Sequence, residues 1–468
     1  MTTTTARPPP EPLYTFRPFH YGPASSPHAP TQTDSQPAVN HIAFIHRPVH
    51  NTPATQTVLQ LLTTDELGWV VLWSLEYKRV DVLWRPHPDA SSFGGCLWAE
   101  AVVASMSSER AGKNSEGLEG SQSELYVVSQ GRDHRFVLSR IPARPALTLN
   151  RAAVRPTTEH PSAEVQCVAE CPTNALTFCK AALLPCNSGP SCIIAAPSAV
   201  DEKWVDIFDV RPHAPTPQIN RIHRALGDQA GSEVTGPVIS LSLYSPSGRP
   251  TMVLLLVGYE NGAVTLWSVG HQDLTKGSWH RVGYFRGHEE PVFSVCMGVN
   301  FTNPCAATGW SVSADHRIVR YDVTPKAGQR EATITATDGN PLSTNIGYEL
   351  LPTVYPTRSP CRFDVKMRSD GKVMATASAG GKIWLYASPH PPLPSGSLAP
   401  LGLIKFKTSV DSQGGVLAFA PVLSPNQAKM FPADLDALDI PDSLGHRALL
   451  AAAGKGGTVV VWEVFPAS

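Results

Sequence analysis

Seven short segments of this chain share one pattern of apolar and polar positions: a small or apolar stretch, a tight turn with Gly, Asp or His, and a β-branched run that ends, in most copies, in an aromatic residue. Each segment predicts two β-strands joined by that turn. Residues 61–75 read LLTTDELGWVVLWSL, residues 254–269 read LLLVGYENGAVTLWSV and residues 449–464 read LLAAAGKGGTVVVWEV. Four weaker copies occupy residues 126–141, 192–210, 306–323 and 373–388. A β-hairpin repeated at long intervals is typical of a β-propeller, in which each repeat forms part of one blade. The pattern therefore predicts an all-β fold with seven blades.

The second strand of each hairpin ends at one position that is aromatic in six of the seven copies. These blade anchors are Trp73, Phe208, Trp267, Tyr321, Tyr386 and Trp462, and Ser139 holds the same place in the second copy. Successive anchors are 54 to 76 residues apart, whereas a four-stranded blade needs only about 40–45 residues. Each blade is therefore expected to carry extra residues, because a longer surface loop costs little closure entropy. We predict loop insertions near residues 105–123, 142–161, 325–360, 388–400 and 421–445.

The two ends of the chain predict how the ring of blades closes. Only four residues follow Val464, which leaves no length for an outer strand after the last hairpin. Residues 13–17, LYTFR, have strand character and could supply that strand, which would remove a free sheet edge. The sequence thus predicts a disordered tail at residues 1–12 and one seven-bladed domain at residues 13–468, closed by its N-terminal strand.

A second element recurs between the hairpins and points to WD repeats. Arg286-Gly287-His288 precedes a strand-like alternation, and Arg85-Pro86-His87 takes the equivalent place after Trp73. This element resembles the Gly-His signature of WD repeats, whose blades contain a hydrogen-bonded set of His, Ser or Thr, Asp and Trp. The fifth copy matches best, with a predicted structural tetrad of His288, Ser313, Asp315 and Tyr321. The other copies are expected to be degenerate.

Composition and charge make several classes of function less favoured. The chain has 468 residues, a hydrophobic fraction of 42%, a charged fraction of 16% and a formal net charge of −1. Scattered Lys and Arg residues give no electrostatic reason to expect direct nucleic-acid or membrane binding. The N-terminus has no apolar core of a secretory signal. We therefore expect a cytosolic or nuclear protein whose 9 cysteines are reduced.

Several residues are of types that could act in catalysis or bind a metal or phosphate, but their positions in the repeat indicate structural roles. His288, Ser313 and Asp315 have the residue types of a nucleophilic triad, but no nucleophile elbow accompanies them. Cys167, Cys171, Cys179, Cys186 and Cys192 lie close in sequence, yet their spacing fits zinc ligands poorly, so buried free thiols are favoured. The segment 454–458, GKGGT, lacks the first Gly of a phosphate loop. We expect no enzyme activity, no metal, no cofactor and no small-molecule substrate.

Four tryptophans lie outside the anchor positions and are candidates for partner contacts. Exposed aromatic residues on a propeller rim would act as binding hot spots, although core packing is the commoner fate of tryptophan. These candidates are Trp84, Trp98, Trp279 and Trp310.

Several longer phrases resemble one family of fungal WD-repeat proteins. They are residues 61–79, LLTTDELGWVVLWSLEYKR, residues 127–138, VVSQGRDHRFVL, and residues 173–179, TNALTFC, followed by AAPSAVDEKWVDIF at residues 195–208. With the C-terminal LLAAAGKGGTVVVWEV, they are similar to the ASTRA-associated protein 1 family, which is related to G-protein β-subunit-like proteins. Their order and spacing extend over nearly the whole chain.

The resemblance implies a non-catalytic scaffold subunit of the ASTRA complex, a nuclear assembly involved in chromatin remodelling. That assembly is also linked to the co-chaperones that mature phosphatidylinositol-3-kinase-related kinases, so these proteins are the expected partners. A G-protein β subunit is disfavoured, because residues 1–40 lack the heptads of a coiled-coil helix. A substrate receptor of a ubiquitin ligase remains the alternative function. The expected location is the nucleus, with the cytoplasm as a further site.

Overall fold

The computed structural model describes most of the chain as short antiparallel strands. The described residues are 12–16, 37–48, 57–104, 124–141, 161–162, 164–174, 176–185, 191–212, 214–226, 235–248, 251–270, 274, 279–300, 302–326, 347–357, 362–378, 380–388, 398, 400–405, 415–420, 448–454 and 457–464. Residues 1–11 of the predicted tail, which was placed at residues 1–12, and most of the predicted insertions lie outside these residues.

Twenty-eight strands form seven four-stranded sheets within the described residues. In chain order, the first blade contains β2 (Val39–Pro48), β3 (Thr57–Asp65), β4 (Val70–Ser74) and β5 (Arg79–Trp84). The second contains β6 (Cys96–Ala104), β7 (Glu124–Gly131), β8 (Arg135–Ile141) and β9 (Gln166–Pro172). The third contains β10 (Ala182–Pro185), β11 (Cys192–Pro197), β12 (Val205–Arg211) and β13 (Gln218–Leu226).

The fourth blade contains β14 (Val238–Tyr244), β15 (Met252–Tyr259), β16 (Ala263–Gly270) and β17 (His280–Arg286). The fifth contains β18 (Val292–Val299), β19 (Ala307–Ser313), β20 (Arg317–Pro325) and β21 (Tyr348–Pro356). The sixth contains β22 (Arg362–Met367), β23 (Val373–Ser378), β24 (Lys382–Ala387) and β25 (Pro400–Lys405). A short 3-10 helix, Pro88–Phe93, connects the first two blades.

The seventh blade combines both ends of the chain. It contains β26 (Gly415–Phe419), β27 (Leu449–Gly454), β28 (Val459–Glu463) and, as its outer strand, β1 (Pro12–Phe16). β1 runs antiparallel to β28, with Pro12 opposite Trp462 and Phe16 opposite Val459. Pro12 is thus part of a strand, one residue before the predicted start. How strongly this strand holds the ring closed stays a prediction.

The predicted hairpins are confirmed as the second and third strands of all seven blades. These two strands are visible in the sequence as apolar runs because they are buried on both sides. For example, every side chain of β4 and of β11 is buried. One predicted insertion is wrong in part: residues 348–356, inside the predicted loop 325–360, form β21 and pair along the whole of β20.

The hydrophobic core lies between the blades. Seven apolar clusters are present among the described residues, and each is shared by two consecutive blades. The cluster between the seventh and first blades contains Phe16, Ile42, Trp73, Ala451 and Val461, so the ring joins its two ends through packed side chains. The chain is therefore a seven-bladed β-propeller of the WD type.

The antiparallel order of the strands gives the ring two different faces. Turns between the second and third strands, and connections from one blade to the next, lie on one face, which we call the turn face. Connections between the first and second strands, and between the third and fourth, lie on the opposite face. The strand ends that flank four of the predicted insertions, and the ends of β20 and β21 that face each other within the fifth, lie opposite the turn face.

Candidate functional site

The fifth blade contains a buried hydrogen-bonded network centred on His288. Its Nδ1 lies 3.0 Å from Asp315 Oδ2, and its Nε2 lies 2.7 Å from Ser311 Oγ. Ser311 Oγ in turn lies 3.0 Å from the Tyr321 hydroxyl. Every member is satisfied if Tyr321 donates to Ser311, Ser311 to His288 and His288 to the carboxylate. A fully paired polar chain of this kind fixes strand register inside a blade.

The network differs from the predicted tetrad at its serine. Ser313 is the last residue of β19 and lies beside the turn, where its hydroxyl donates to the Glu290 carbonyl at 3.0 Å. Ser311 lies two residues earlier on the same side of the strand, deep enough to reach both His288 and Tyr321. The prediction of Ser313 was therefore wrong, because alternation in a strand allows either serine and only depth separates them.

A second network of the same kind lies in the second blade. His87 Nδ1 is 2.9 Å from Asp133 Oδ1, and His87 Nε2 is 2.9 Å from Ser129 Oγ. The second blade thus retains three of the four members and is degenerate only at the aromatic position, which Ser139 occupies. A sequence signal existed: Ser129 and Ser311 each begin the pattern Ser-x-x-x-Asp-His-Arg.

In the second blade, Gly131 lies at the strand position that Ser313 occupies in the fifth blade. A network of this kind therefore forms without a side chain at that position. A Cβ atom on Gly131 would lie 2.2 Å from both Asp133 Oδ1 and His87 Nδ1. The aromatic position is Ser139 here, and its Oγ accepts a hydrogen bond from Trp84 Nε1 at 3.2 Å. The outer strand of the first blade thus supplies an indole where the second hairpin lacks its aromatic residue.

The networks are closed to solvent, which decides their role. The side chains of His87 and His288 are both 0% exposed, and Ser129 and Ser311 are also fully buried. A nucleophile with no exposed surface cannot meet a substrate, so the arrangement acts as an internal brace of each blade. The pKa of Asp315 would be raised by burial, but bonding and attraction from His288 and two backbone N–H groups lower it overall.

The blade anchors lie at equivalent places on the third strands of the blades. Trp73, Phe208, Trp267, Tyr321, Tyr386 and Trp462 are all buried. Trp73 Nε1 donates to Thr63 at 2.9 Å, and Trp267 Nε1 donates to Thr265 at the same distance. The anchors thus fill the inter-blade clusters and bond within their own blades.

The prediction that four tryptophans lie at the surface and contact partners was wrong. Their exposed fractions are 6% for Trp84, 2% for Trp98, 8% for Trp279 and 0% for Trp310. Trp310 stacks at 6.1 Å from Tyr355. Apolar packing between blades accounts for them, so none can reach a partner.

The cysteines show no shared site in the part of the chain that the structure describes. Cys179 and Cys192 are buried thiols, Cys171 is half-buried and Cys167 is exposed on β9. Cys186 lies outside the described residues. No group of three metal-ligating side chains occurs among the described residues. Cys179 lies in the connection between β9 and β10.

Charged side chains from several blades meet near the innermost strands. His41 Nε2 of the first blade lies 3.4 Å from Glu100 of the second. Lys180, which precedes β10 of the third blade, interacts with Asp364 and Lys366 on β22 of the sixth. Burial is the largest cause of the low pKa of Lys180, which is about 8; attraction from Asp364 raises the pKa, and repulsion from Lys366 lowers it.

Replacing Lys180 by Met is expected to raise the stability of the chain at pH 7. The folded chain binds the Lys180 proton less tightly than the unfolded chain, so wild-type stability increases as pH rises from about 8 towards the usual value of 10.5. The advantage of the Lys180→Met variant should therefore shrink over that range. Urea unfolding at pH 7 and pH 9.5 measures it, with the exposed Lys203→Met as control. A Lys180→Met variant less stable than wild type at pH 7 would contradict this account.

No membrane-spanning helix is found in the described part of the chain. No protein-family model matches the sequence. The ring of seven blades, braced by His–Asp networks and filled by the anchors, defines a WD-type β-propeller of the scaffold kind.

Curated relatives share one name. ASTRA-associated protein 1 of Aspergillus flavus is 22% identical over 488 residues, which cover 93% of this chain and 99% of that protein. The protein of that name from Verticillium alfalfae is 22% identical over 87% of each chain. The one from Penicillium rubens is 25% identical over 73% of each. The resemblance to the ASTRA-associated protein 1 family predicted from the sequence is confirmed.

One solved structure is also similar. The β-propeller domain of Myceliophteria thermophila Cps50 (Swd1) covers 91% of this chain and 100% of its own length, with a TM-score of 0.48 and 14% identity. The seven sheets of this chain establish its fold independently of that likeness.

Proposed function

We propose that this chain is a non-catalytic WD-repeat scaffold subunit of the ASTRA complex. The observation that carries the proposal is the similarity to proteins named ASTRA-associated protein 1 over nearly the full length of both chains. The closed His87 and His288 networks support a role without catalysis, because their serines are buried. Through that complex the chain would take part in chromatin remodelling and in the maturation of phosphatidylinositol-3-kinase-related kinases.

The proposed partners are protein subunits of the complex and kinase co-chaperones, met mainly in the nucleus. A net charge of −1 gives the chain no field that would attract nucleic acid or an anionic membrane by itself. It would bind no cofactor and no small-molecule substrate. A rigid ring suits this role, because its surface loops can hold several proteins in fixed relative positions.

Affinity purification from nuclear extract of the source organism tests the proposal. The tagged chain is expected to recover ASTRA subunits and kinase-maturation co-chaperones, compared with an extract that contains the tag alone. Recovery of ubiquitin-ligase adaptor subunits in their place would favour the alternative function. Absence of the ASTRA proteins, together with salt-sensitive binding of the purified chain to bare DNA, would overturn the proposal.

A further inference from the structure

Two large apolar side chains stand exposed on the turn face, in the connection between the second and third blades. Leu176 is 70% exposed and Phe178 is 73% exposed. Val200, in the turn between β11 and β12 of the third blade, is 62% exposed. Bulky side chains grouped in this way usually mark a place where another protein binds.

Hydrogen bonds link the connection that bears Leu176 to the turn that bears Val200. Asn174 Nδ2 donates to the Ser198 carbonyl at 2.6 Å, and Asn174 Oδ1 accepts from the Leu176 backbone N–H at 2.8 Å. The connection that bears Leu176 is thus attached directly to the turn that bears Val200. Leu176, Phe178 and Val200 are exposed on the same face of the ring, and we call these three residues the apolar patch.

Side chains of the second blade bind the described part of this connection. Arg132 Nη1 donates to the carbonyls of Leu176 and Thr177 at 3.3 and 3.1 Å, and its guanidinium lies 4.3 Å from the centre of the Phe178 ring. Gln130 is buried beneath it and accepts from the Ala181 N–H at 2.8 Å. Because the backbone is already ordered, a partner that covers the patch would lose little conformational entropy of this chain on binding.

Acidic side chains continue from the apolar patch along the turn face. Glu202 follows Val200 by two residues, and its carbonyl accepts from the Val238 N–H at 2.8 Å. The Glu260 N–H donates to the neighbouring Pro237 carbonyl at 3.0 Å. Glu202 and Glu260 are therefore adjacent, and both are exposed.

The acidic line reaches the fifth blade. A Cβ atom on Gly262, two residues after Glu260, would lie 3.2 Å from the Glu290 carbonyl oxygen. Glu290 is exposed. Within the residues that the structure describes, the carboxylates of Glu202, Glu260 and Glu290 have no ion-pair partner. We call these three residues the acidic arc.

We propose that the apolar patch and the acidic arc together bind one segment of a partner protein, in which bulky apolar residues are followed by Lys or Arg. The apolar side chains of the segment would cover Leu176, Phe178 and Val200, and its cations would face the arc. The chemistry disfavours anionic lipid and nucleic acid, since both would be repelled by the arc. The inference deepens the proposed function, because it specifies which surface of the scaffold engages a protein and what that protein presents.

The test uses the purified chain and a phage-displayed library of random peptides as the probe. Peptides are selected on the wild-type chain and counter-selected on a Leu176→Ser/Phe178→Ser variant. We expect enriched peptides that contain two or more bulky apolar residues and at least two Lys or Arg. Failure to enrich any peptide that depends on Phe178, or enrichment of acidic peptides, would overturn the proposal.

Titrations with one selected peptide measure the contributions of the apolar patch and of the acidic arc to binding separately. Phe178→Ser is expected to weaken binding at least tenfold, and Glu202→Lys with Glu260→Lys at least fivefold, with a weaker salt dependence. A peptide with its Lys and Arg changed to Glu should bind that charge-reversed variant better than wild type. Matched controls on β21, Leu351→Ser and Glu349→Lys, should leave binding unchanged.

Binding of a different molecule to the apolar patch would give a different experimental result. A concentration-dependent dimer of the wild-type chain that Phe178→Ser abolishes would show a second copy of this chain on the patch and overturn the proposal. Equal melting temperatures of all variants establish that they are folded, as expected for side chains exposed to this degree. The selection needs no ASTRA protein, so its failure refutes this surface alone, whereas failed affinity purification refutes the proposed function alone.

Discussion

Deletion of residues 1–18 is expected to lower the melting temperature of the chain by on the order of 10 °C. The deletion removes β1, which pairs with β28 from Pro12 to Phe16. Phe16 is 4% exposed and its ring lies 5.2 Å from that of Trp73. Loss of a buried Phe side chain alone costs about 3–5 kcal/mol. The deletion also exposes a free edge on β28 and opens the cluster that joins the two ends of the ring.

Differential scanning calorimetry measures the effect, and two shorter changes make it specific. Deletion of residues 1–9, which leaves β1 complete, should shift the melting temperature by less than about 1 °C, as expected from the tail predicted by the sequence. Phe16→Ala should give roughly half or more of the full loss, because it opens the cluster but keeps the strand. An unchanged melting temperature after deletion of residues 1–18 would show that the N-terminal strand does not stabilise the closed ring.

The sequence predicted the inner parts of the blades much better than their outer strands. Second and third strands are buried on both sides and appear as dense apolar runs, such as LLLVGY before Glu260. Outer strands pack on fewer neighbours, and their sequences carry less pattern. β9, QCVAECP, has no fully buried residue, and β21 was predicted as loop. Outer strands are specified mainly by pairing with the strand before them, which local sequence does not encode.

At the site, the residue types could be predicted, but their depth and exposure could not. The choice between Ser311 and Ser313 depends on distance from the turn, which a two-residue period cannot give. The exposed Phe178 lies in a short apolar run, and such a run looks the same in a buried strand and in an exposed connection. Only contacts that cross between blades, such as Arg132 with the Phe178 ring, set that part of the surface.

Replacing both network histidines, His87→Ala with His288→Ala, is expected to destabilise the chain by about 2–6 kcal/mol. Each substitution leaves a buried carboxylate without its main partner, which costs about 1–3 kcal/mol. The two networks lie in the second and fifth blades with no shared residue, so their effects should add. Urea unfolding monitored by tryptophan fluorescence measures the loss, and the exposed His316→Ala is the control. A double variant as stable as His316→Ala would refute the bracing role.

Lowering the pH should reduce the difference in the free energy of unfolding between the wild type and the double variant. In the wild type, burial would raise the pKa of Asp133, but bonding and attraction from His87 and Arg135 lower it, as His288 does for Asp315. A carboxyl whose pKa is lowered by folding stabilises the chain above its unfolded value near 3.8 and loses that contribution as pH falls further. The wild type therefore loses this stability below pH 4. The variant retains only the part supplied by Arg135 and by the backbone N–H groups that bond to Asp315, so it has less to lose. The unfolding free energies of the two proteins should therefore approach each other between pH 5 and about pH 3.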